Sequence, residues 1–223
     1  MIAWKPYDFI QAAFAGRLQI QPQCLELERL ITIKQVHGAH IVELKDAQDL
    51  EDAPSREGDA IISSLAEFPI AIRTADCVPI LISSSEGIIA AVHAGWKGTL
   101  LEILRKTLMR MQEKFLVDLQ KTQVAIGPAI CKQCFEIGEE VASQFIEKSG
   151  DKFLTSGLPG KYFLDLKSLN AEQALLSGVP EANIRLEAAC TLCHEDRFFS
   201  YRGAQRRKEN NQGRNYSWIL RKM

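Results

Sequence analysis

Along the first half of the chain, apolar residues come in short, nearly continuous runs separated by a few polar or turn-forming residues. Asp59–Ser63 (DAIIS), Ile70–Arg73, Val78–Ile82 (VPILI) and Ile88–His93 (IIAAVH) each have the length of a strand. The last two are almost uninterrupted, the pattern of strands covered on both faces. Leu30–Leu44 predicts extended segments on either side of a bend at His37-Gly38. The periodicity then changes. From Gly98 to about Phe115, apolar residues at 100, 101, 104, 108, 111 and 115 share one helical face. Ile137–Lys148 and Asp165–Ser177 predict two further amphipathic helices, and VAIGP (124–128) predicts a strand between the first two helices.

Three segments are less regular. GDKFLTSGLPG (150–160) reads as a surface loop, and GAQRRKENNQGR (203–214) as a mobile basic loop before a closing YSWIL strand. The first thirty residues predict an edge strand and part of the core. Strands and helices are interspersed without βαβα alternation, so the pattern predicts one α+β domain over residues 1–223.

Composition narrows the classes. In 223 residues, 46% hydrophobic and 25% charged, the formal net charge is −1. That leaves no basic surplus for nucleic acid and no polybasic anchor for a membrane. No apolar run approaches the ~18–20 residues of a membrane span. The N-terminus lacks a charged segment followed by an apolar one, so no signal peptide is read and a cytoplasmic protein is expected. Six cysteines then imply a reducing compartment, with thiols that are free, buried or metal-bound.

Only four histidines are present: His37, His40, His93 and His194. KQVHG (34–38), TADC (74–77) and AVHAGWKG (91–98) each place a ligand-type side chain at a strand end beside small or turn residues. Two imidazoles and a thiolate, His37, His93 and Cys77, make a possible three-ligand zinc site with an open fourth position. Spacing alone leaves the plainer reading open, a buried cysteine and two hydrogen-bonded histidines. Gly95-Trp96-Lys97-Gly98 leads into the predicted helix, whose N-terminus would favour an anion, with Lys97 adding a charge.

The ordered set KQVHG, GDAII (58–62), TADCVPILI (74–82), AAVHAGWKGTL (90–100), AIGPAI (125–130), CTLCHEDRFFSYR (190–202) and Gly213-Arg214-x-x-Ser217 resembles the YfiH-like laccase-domain family. The resemblance runs from about residue 34 to the C-terminus. It implies a mixed and antiparallel β core flanked by helices, related to the cysteine-hydrolase fold of the CNF toxins. It also implies a catalytic metal cluster on His37, Cys77 and His93, holding zinc, with copper as the other metal. The implied activity is phosphorolysis of purine nucleosides (adenosine, inosine, guanosine, methylthioadenosine) to base and ribose-1-phosphate, accompanied by adenosine deamination. Partners are then nucleosides and phosphate, without nucleic acid or membrane; no oligomeric state is assigned. Phosphorolysis needs cations or N–H donors for phosphate. Arg73, Lys97 and Arg202 are the candidates. Asp59 or Asp76 would orient a ligand imidazole. Two departures stand out: Gly203 follows Tyr201-Arg202 where relatives carry a second arginine, so Arg206 or Arg207 is a substitute candidate, and Phe135 replaces a tyrosine.

Three other functions compete. Cys77 with His93 would serve as nucleophile and base of an amidase on a peptide or cell-wall precursor. A copper polyphenol oxidase with several coppers needs far more imidazoles than four. A non-enzymatic binding module would leave the histidine–cysteine set without a role. Finally, CTLCH (190–194) spells a haem-attachment motif, and Cys131-Lys132-Gln133-Cys134 is a second C-x-x-C. The expected compartment argues against haem. The 55 residues between the pairs far exceed the ~15–20 of a zinc ribbon, so CTLCH reads as cleft wall, with a distant four-thiol site as the minor alternative.

Overall fold

The computed structural model describes residues 1–17, 30–210 and 213–223. Its elements in chain order begin with β1 (Ile2–Trp4), β2 (Ile10–Ala15), β3 (Ile41–Leu44), α1 (Ala47–Asp52), β4 (Ala60–Ser63) and β5 (Ile70–Thr74). There follow β6 (Val78–Ser83), β7 (Ile89–Ala94), α2 (Trp96–Leu100), α3 (Ile103–Phe115) and β8 (Gln123–Ile126). Next come β9 (Glu136–Gly138), α4 (Glu139–Ser149), β10 (Leu154–Ser156), β11 (Lys161–Leu164) and α5 (Leu166–Leu176). The chain closes with β12 (Ile184–Leu186), α6 (Tyr201–Arg207) and β13 (Asn215–Arg221).

A six-stranded sheet, ordered β12-β8-β6-β7-β4-β3, lies at the centre. Its β3–β4 and β8–β12 pairs are parallel; the others are antiparallel. Side chains alternate across it, and both faces are covered. Val78, Ile80, Ile82, Ala90 and Val92 share one cluster with Ile103, Leu104, Leu108 and Met111 of α3, Phe145 of α4 and Leu169 of α5. Ile61, Leu81, Ala91 and Ala125 pack on the other side with Ile10, Phe14, Ile70, Ile72 and Ile219. Those last residues belong to a four-stranded antiparallel sheet, β1-β2-β13-β5. This explains the uninterrupted apolar runs: every position on β6 and β7 is buried. Each such isoleucine or leucine contributes about 1.5–3 kcal/mol. The architecture is mixed α+β, as the pattern predicts.

The predicted helix from Gly98 breaks in two. Leu101 leaves the helical region, and Glu102 adopts a left-handed conformation, φ 58°. The cause lies in α5: Gln173 Nε2 donates to the Thr99 carbonyl at 2.9 Å, which also accepts from the Glu102 N–H at 3.0 Å. Asn170 Nδ2 donates to Thr99 Oγ1 at 3.0 Å. The carbonyl that would bond residue 103 is thus taken, and α3 starts anew.

Two loop readings are corrected. Residues 150–160 contain β10, which forms a hairpin with β11, and β11 in turn pairs with β9. Buried Phe153 anchors the hairpin's start. The basic segment 203–214 is largely helical through 207, because Ser200 Oγ caps α6 by accepting from the Gly203 N–H at 3.0 Å. In the N-terminal thirty, β1 is an edge strand as expected, while β2 is interior to its sheet; residues 18–29 and 211–212 lie outside the described residues. Among the described residues no helix is long and apolar enough to cross a membrane.

Candidate metal centre

Adjacent strands of the central sheet carry two of the predicted ligands to one end. Pro79 on β6 pairs with His93 on β7, which sets Cys77, just before β6, beside Gly95. His37 arrives from the KQVHG bend in a left-handed conformation, φ 58°. One ligand atom each from His37, Cys77 and His93 lies within 4.8 Å of the other two. The two imidazole rings stand nearly perpendicular, with centroids 4.7 Å apart. His93 is buried, Cys77 partly buried and His37 exposed, so the cluster opens to solvent on the His37 side.

Asp59 builds this arrangement. It is fully buried just before β4, and its Oδ1 lies 2.7 Å from His93 Nδ1. The same carboxylate accepts from the backbone N–H of His37 at 2.9 Å, Gly38 at 2.6 Å and Val36 at 3.4 Å. One side chain therefore sets both the His93 ring and the turn carrying His37. With Nδ1 engaged, His93 Nε2 is the ring nitrogen left for the cluster. Burial pushes the Asp59 carboxyl up, but the bonds from His93, Gly38 and His37 outweigh it and hold it below its ordinary value.

The charges are strongly interdependent. Burial raises the Cys77 thiol, yet His37 and His93 bring it down to about 6. Burial lowers His93, yet Asp59 and Cys77 bring it up to about 9. Both shifts favour the thiolate and the imidazolium, the charged forms of the pair, and a bound cation competes with the His93 proton. Two nitrogens and a thiolate, converging and open on one side, suit a borderline-soft metal such as zinc or copper. Gly95 keeps the space clear: an added Cβ would come within 3.1 Å of Cys77 Sγ and 3.4 Å of His37 Nδ1.

The other predicted residues fall differently. Asp76 is committed away from the imidazoles. Left-handed at φ 87°, it accepts from Thr191 Oγ1 at 2.6 Å, Ser200 Oγ at 3.1 Å and the Arg202 N–H at 2.6 Å. Its carbonyl accepts from the Ile130 N–H at 3.0 Å. It thus ties the Cys77 turn to the CTLCH-to-Arg202 segment, a role for Thr191 and Ser200 that residue type alone did not reveal. The Arg202 guanidinium donates to the Glu136 carbonyl at 3.0 Å and sits over Phe135. Arg73 is exposed on β5, its backbone bonded both ways to the Gln35 side chain. Lys97 is exposed, with Nζ 5.4 Å from the Trp96 ring centroid. The helix expected to present an anion site there is only the five residues of α2, so its dipole is small and Lys97 is the main positive element. Arg207 is paired with Glu195 and Glu209.

CTLCH does not stand alone. Ala129 and Cys190 form a parallel bridge, and the sulfurs of Cys131, Cys134, Cys190 and Cys193 all lie within 4.8 Å of one another. The wide gap in sequence, which argued against a joint site, is closed by the parallel β8–β12 pairing.

Comparison with known proteins places nearly the whole chain in one family. A protein-family model described as "Multi-copper polyphenol oxidoreductase laccase" matches residues 12–222. A protein named "Adenosine deaminase RL5", from an unknown prokaryotic organism, is 35% identical over 208 residues, 89% of this chain and 77% of its own length. A "Purine nucleoside phosphorylase" of Bacteroides thetaiotaomicron is 36% identical over 184 residues, covering 78% of this chain and 68% of its own length. The crystal structure of YlmD from Geobacillus stearothermophilus superposes with a TM-score of 0.84 at 26% identity, covering 98% of this chain and 94% of that one. With nearly the whole chain matched, from β2 to β13, this protein belongs to the laccase-domain family of YfiH and YlmD.

Proposed function

We propose that the protein is a zinc-dependent purine nucleoside phosphorylase that also deaminates adenosine, with His37, Cys77 and His93 as metal ligands. The observation that carries this reading is the convergence of the three donors beside a carboxylate, Asp59, that holds the His93 ring and the backbone turn carrying His37. The names of the relatives support it. Bound there, the metal supplies Lewis acidity at the open side of the cluster. The chain's own residues do the rest. Asp59 keeps Nδ1 of His93 occupied so that Nε2 faces the site. In this reading Lys97, exposed at the start of α2, would hold the attacking phosphate, and the neighbouring Trp96 would pack against the planar base. Arg202 orients β9 through the Glu136 carbonyl, and exposed Arg73 is the second candidate cation for phosphate.

In phosphorolysis a phosphate oxygen bonds to C1′ as the bond from C1′ to the purine nitrogen breaks, and the base leaves with that electron pair. Purified protein is incubated with inosine or adenosine, with and without phosphate, and the products are separated. Phosphate-dependent release of free base is expected, together with conversion of adenosine to inosine. Absence of both refutes the reading. A cytoplasmic location belongs to the same reading, supported by the free thiols of the five described cysteines.

The Cys77 thiol, flanked by His37 and His93, favours a second reading, a cysteine nucleophile acting on amides as in the CNF-toxin hydrolases. Chelation separates the two. A nucleophile survives metal removal and dies on alkylation; the metal enzyme loses activity to the chelator and regains it with zinc. Several coppers, as the family description would require, cannot be housed with four histidines in the whole chain.

A further inference from the structure

We propose that Cys131, Cys134, Cys190 and Cys193 form a second metal site, a closed tetrathiolate for structural zinc, which pins the segment bearing Thr191, Ser200 and Arg202 against the Cys77 turn. A tetrahedron with zinc–sulfur distances of ~2.3 Å has sulfur–sulfur edges of about 3.8 Å. The four sulfurs lie within 4.8 Å of one another, and Cys134 and Cys193 approach to 3.4 Å, so small side-chain adjustments reach that shape.

The backbone is already arranged for thiolates. Cys190 Sγ, buried, accepts from the N–H of Cys131 at 3.2 Å and of Cys193 at 3.4 Å. Such donors stabilise the deprotonated sulfur that a metal requires. The first pair is closed into a turn by the Cys134 N–H on the Cys131 carbonyl at 3.0 Å. Charge is also provided for. Lys167, only 7% exposed, donates to the carbonyl of Glu187 at 2.8 Å, with Ala188 and Ala189 within 3.4 Å, on the stretch leading into Cys190. Four thiolates around a divalent ion leave a surplus of negative charge, and this buried ammonium, in electrostatic range of Cys131 and Cys190, offsets part of it. A lysine so nearly buried needs compensating charge, which Asp165 supplies first and the two cysteines and Glu187 add to. Four protein ligands leave no position for substrate, so the role is structural. All-sulfur coordination selects zinc over magnesium or calcium.

The position gives the site its purpose. Residues 187–200 have little regular structure, yet they deliver Thr191 and Ser200 to Asp76, the neighbour of Cys77. Cross-linking this segment to the 127–135 connection between β8 and β9 holds that delivery in place.

The test uses full-length protein purified without oxygen from zinc-supplemented cells, as wild type, Cys193→Ser, Cys193→His and Cys77→Ala. Metal is quantified by mass spectrometry, and each stripped protein is titrated with cobalt(II). About two zinc ions per chain are expected in the wild type, and about one in Cys193→Ser and in Cys77→Ala. Intense sulfur-to-cobalt charge-transfer bands with tetrahedral d–d bands should persist in Cys77→Ala and fall in Cys193→Ser to the weaker band of the single Cys77 thiolate. Cys193 is exposed, so its replacement burdens the fold little, and Cys193→His, which keeps a ligand, should restore the second ion. If Cys77→Ala keeps all its zinc while Cys193→Ser loses it, the thiolate site stands and the catalytic-metal reading falls. The proposal is overturned if Cys193→Ser retains wild-type zinc, if Cys77→Ala shows no thiolate bands, if iron is bound preferentially when both metals are supplied, or if Cys134 and Cys193 are recovered as a disulfide without metal.

Discussion

Replacing Asp59 by asparagine changes one oxygen to a nitrogen at the buried junction of both histidine ligands. Oδ1 serves His93 Nδ1 and the His37 N–H; Oδ2 serves the N–H groups of Gly38 and Val36. An amide satisfies only one of these sets. With its oxygen on the Oδ1 side, its NH2 opposes the Gly38 N–H at a 2.6 Å spacing, donor against donor. With the amide reversed, the NH2 donates to His93 Nδ1, which moves the ring proton to Nε2 and removes the metal-binding lone pair. Either outcome damages a ligand. A buried N–H left unpaired costs about 1–3 kcal/mol, and at ~2–4 °C per kcal/mol for a chain this long the melting temperature should fall by roughly 2–12 °C. Loss of such a partner to a ligating histidine typically weakens metal binding or activity ~10–100-fold, about 1.4–2.7 kcal/mol. Competition of zinc between Asp59→Asn protein and a chromophoric chelator measures this directly, with inosine phosphorolysis in parallel. Zinc affinity within twofold of the wild type would refute the reasoning, because it would mean that His93 is held by something other than Asp59.

Gly95→Ala should keep the fold but weaken zinc binding about tenfold, since the new methyl group crowds Cys77 Sγ; unaltered binding in the same competition assay would show that the cluster relaxes freely. Gly127→Ala should act on stability alone: its Cβ would sit 2.4 Å from the Phe14 ring, a clash worth about 1–3 kcal/mol of overpacking, read in urea unfolding with zinc content unchanged. Lys97→Ala should raise KM for phosphate about tenfold while leaving metal content intact, and Arg73→Ala should raise it less; the reverse order would reassign the phosphate contact.

The parts of this protein legible in the sequence are those whose cause is local. Strands β6 and β7 announce themselves because both faces are buried, and Asp165 caps α5 where the apolar period begins. His37, Cys77 and His93 stand out because each occupies a turn or strand end, and the structure brings them together. What escaped depends on partners far along the chain. The break after α2 follows from Gln173 capturing the Thr99 carbonyl, which no periodicity in 98–115 encodes. Asp76 and Asp59 are indistinguishable by type; only the fold turns one toward His93 and the other toward Thr191 and Ser200. The four cysteines were separated by a spacing rule that holds for ribbons, in which both pairs lie on neighbouring hairpins; here a parallel crossover joins them.

Strand β13 lies between β2 and β5, aligning Arg221 with Ile10 and Asn215 with Thr74. That arrangement has a kinetic consequence. The four-stranded sheet closes only when distant stretches of chain meet, and contacts of such separation are slow to form. In the interval β2 and β5 have bare edges, and Ile61, Leu81 and Ala91 on the central sheet lack their cover. Refolding from urea should therefore be slow and concentration-sensitive, with losses to aggregation set by how long this sheet waits for β13 rather than by the assembly of the ligands.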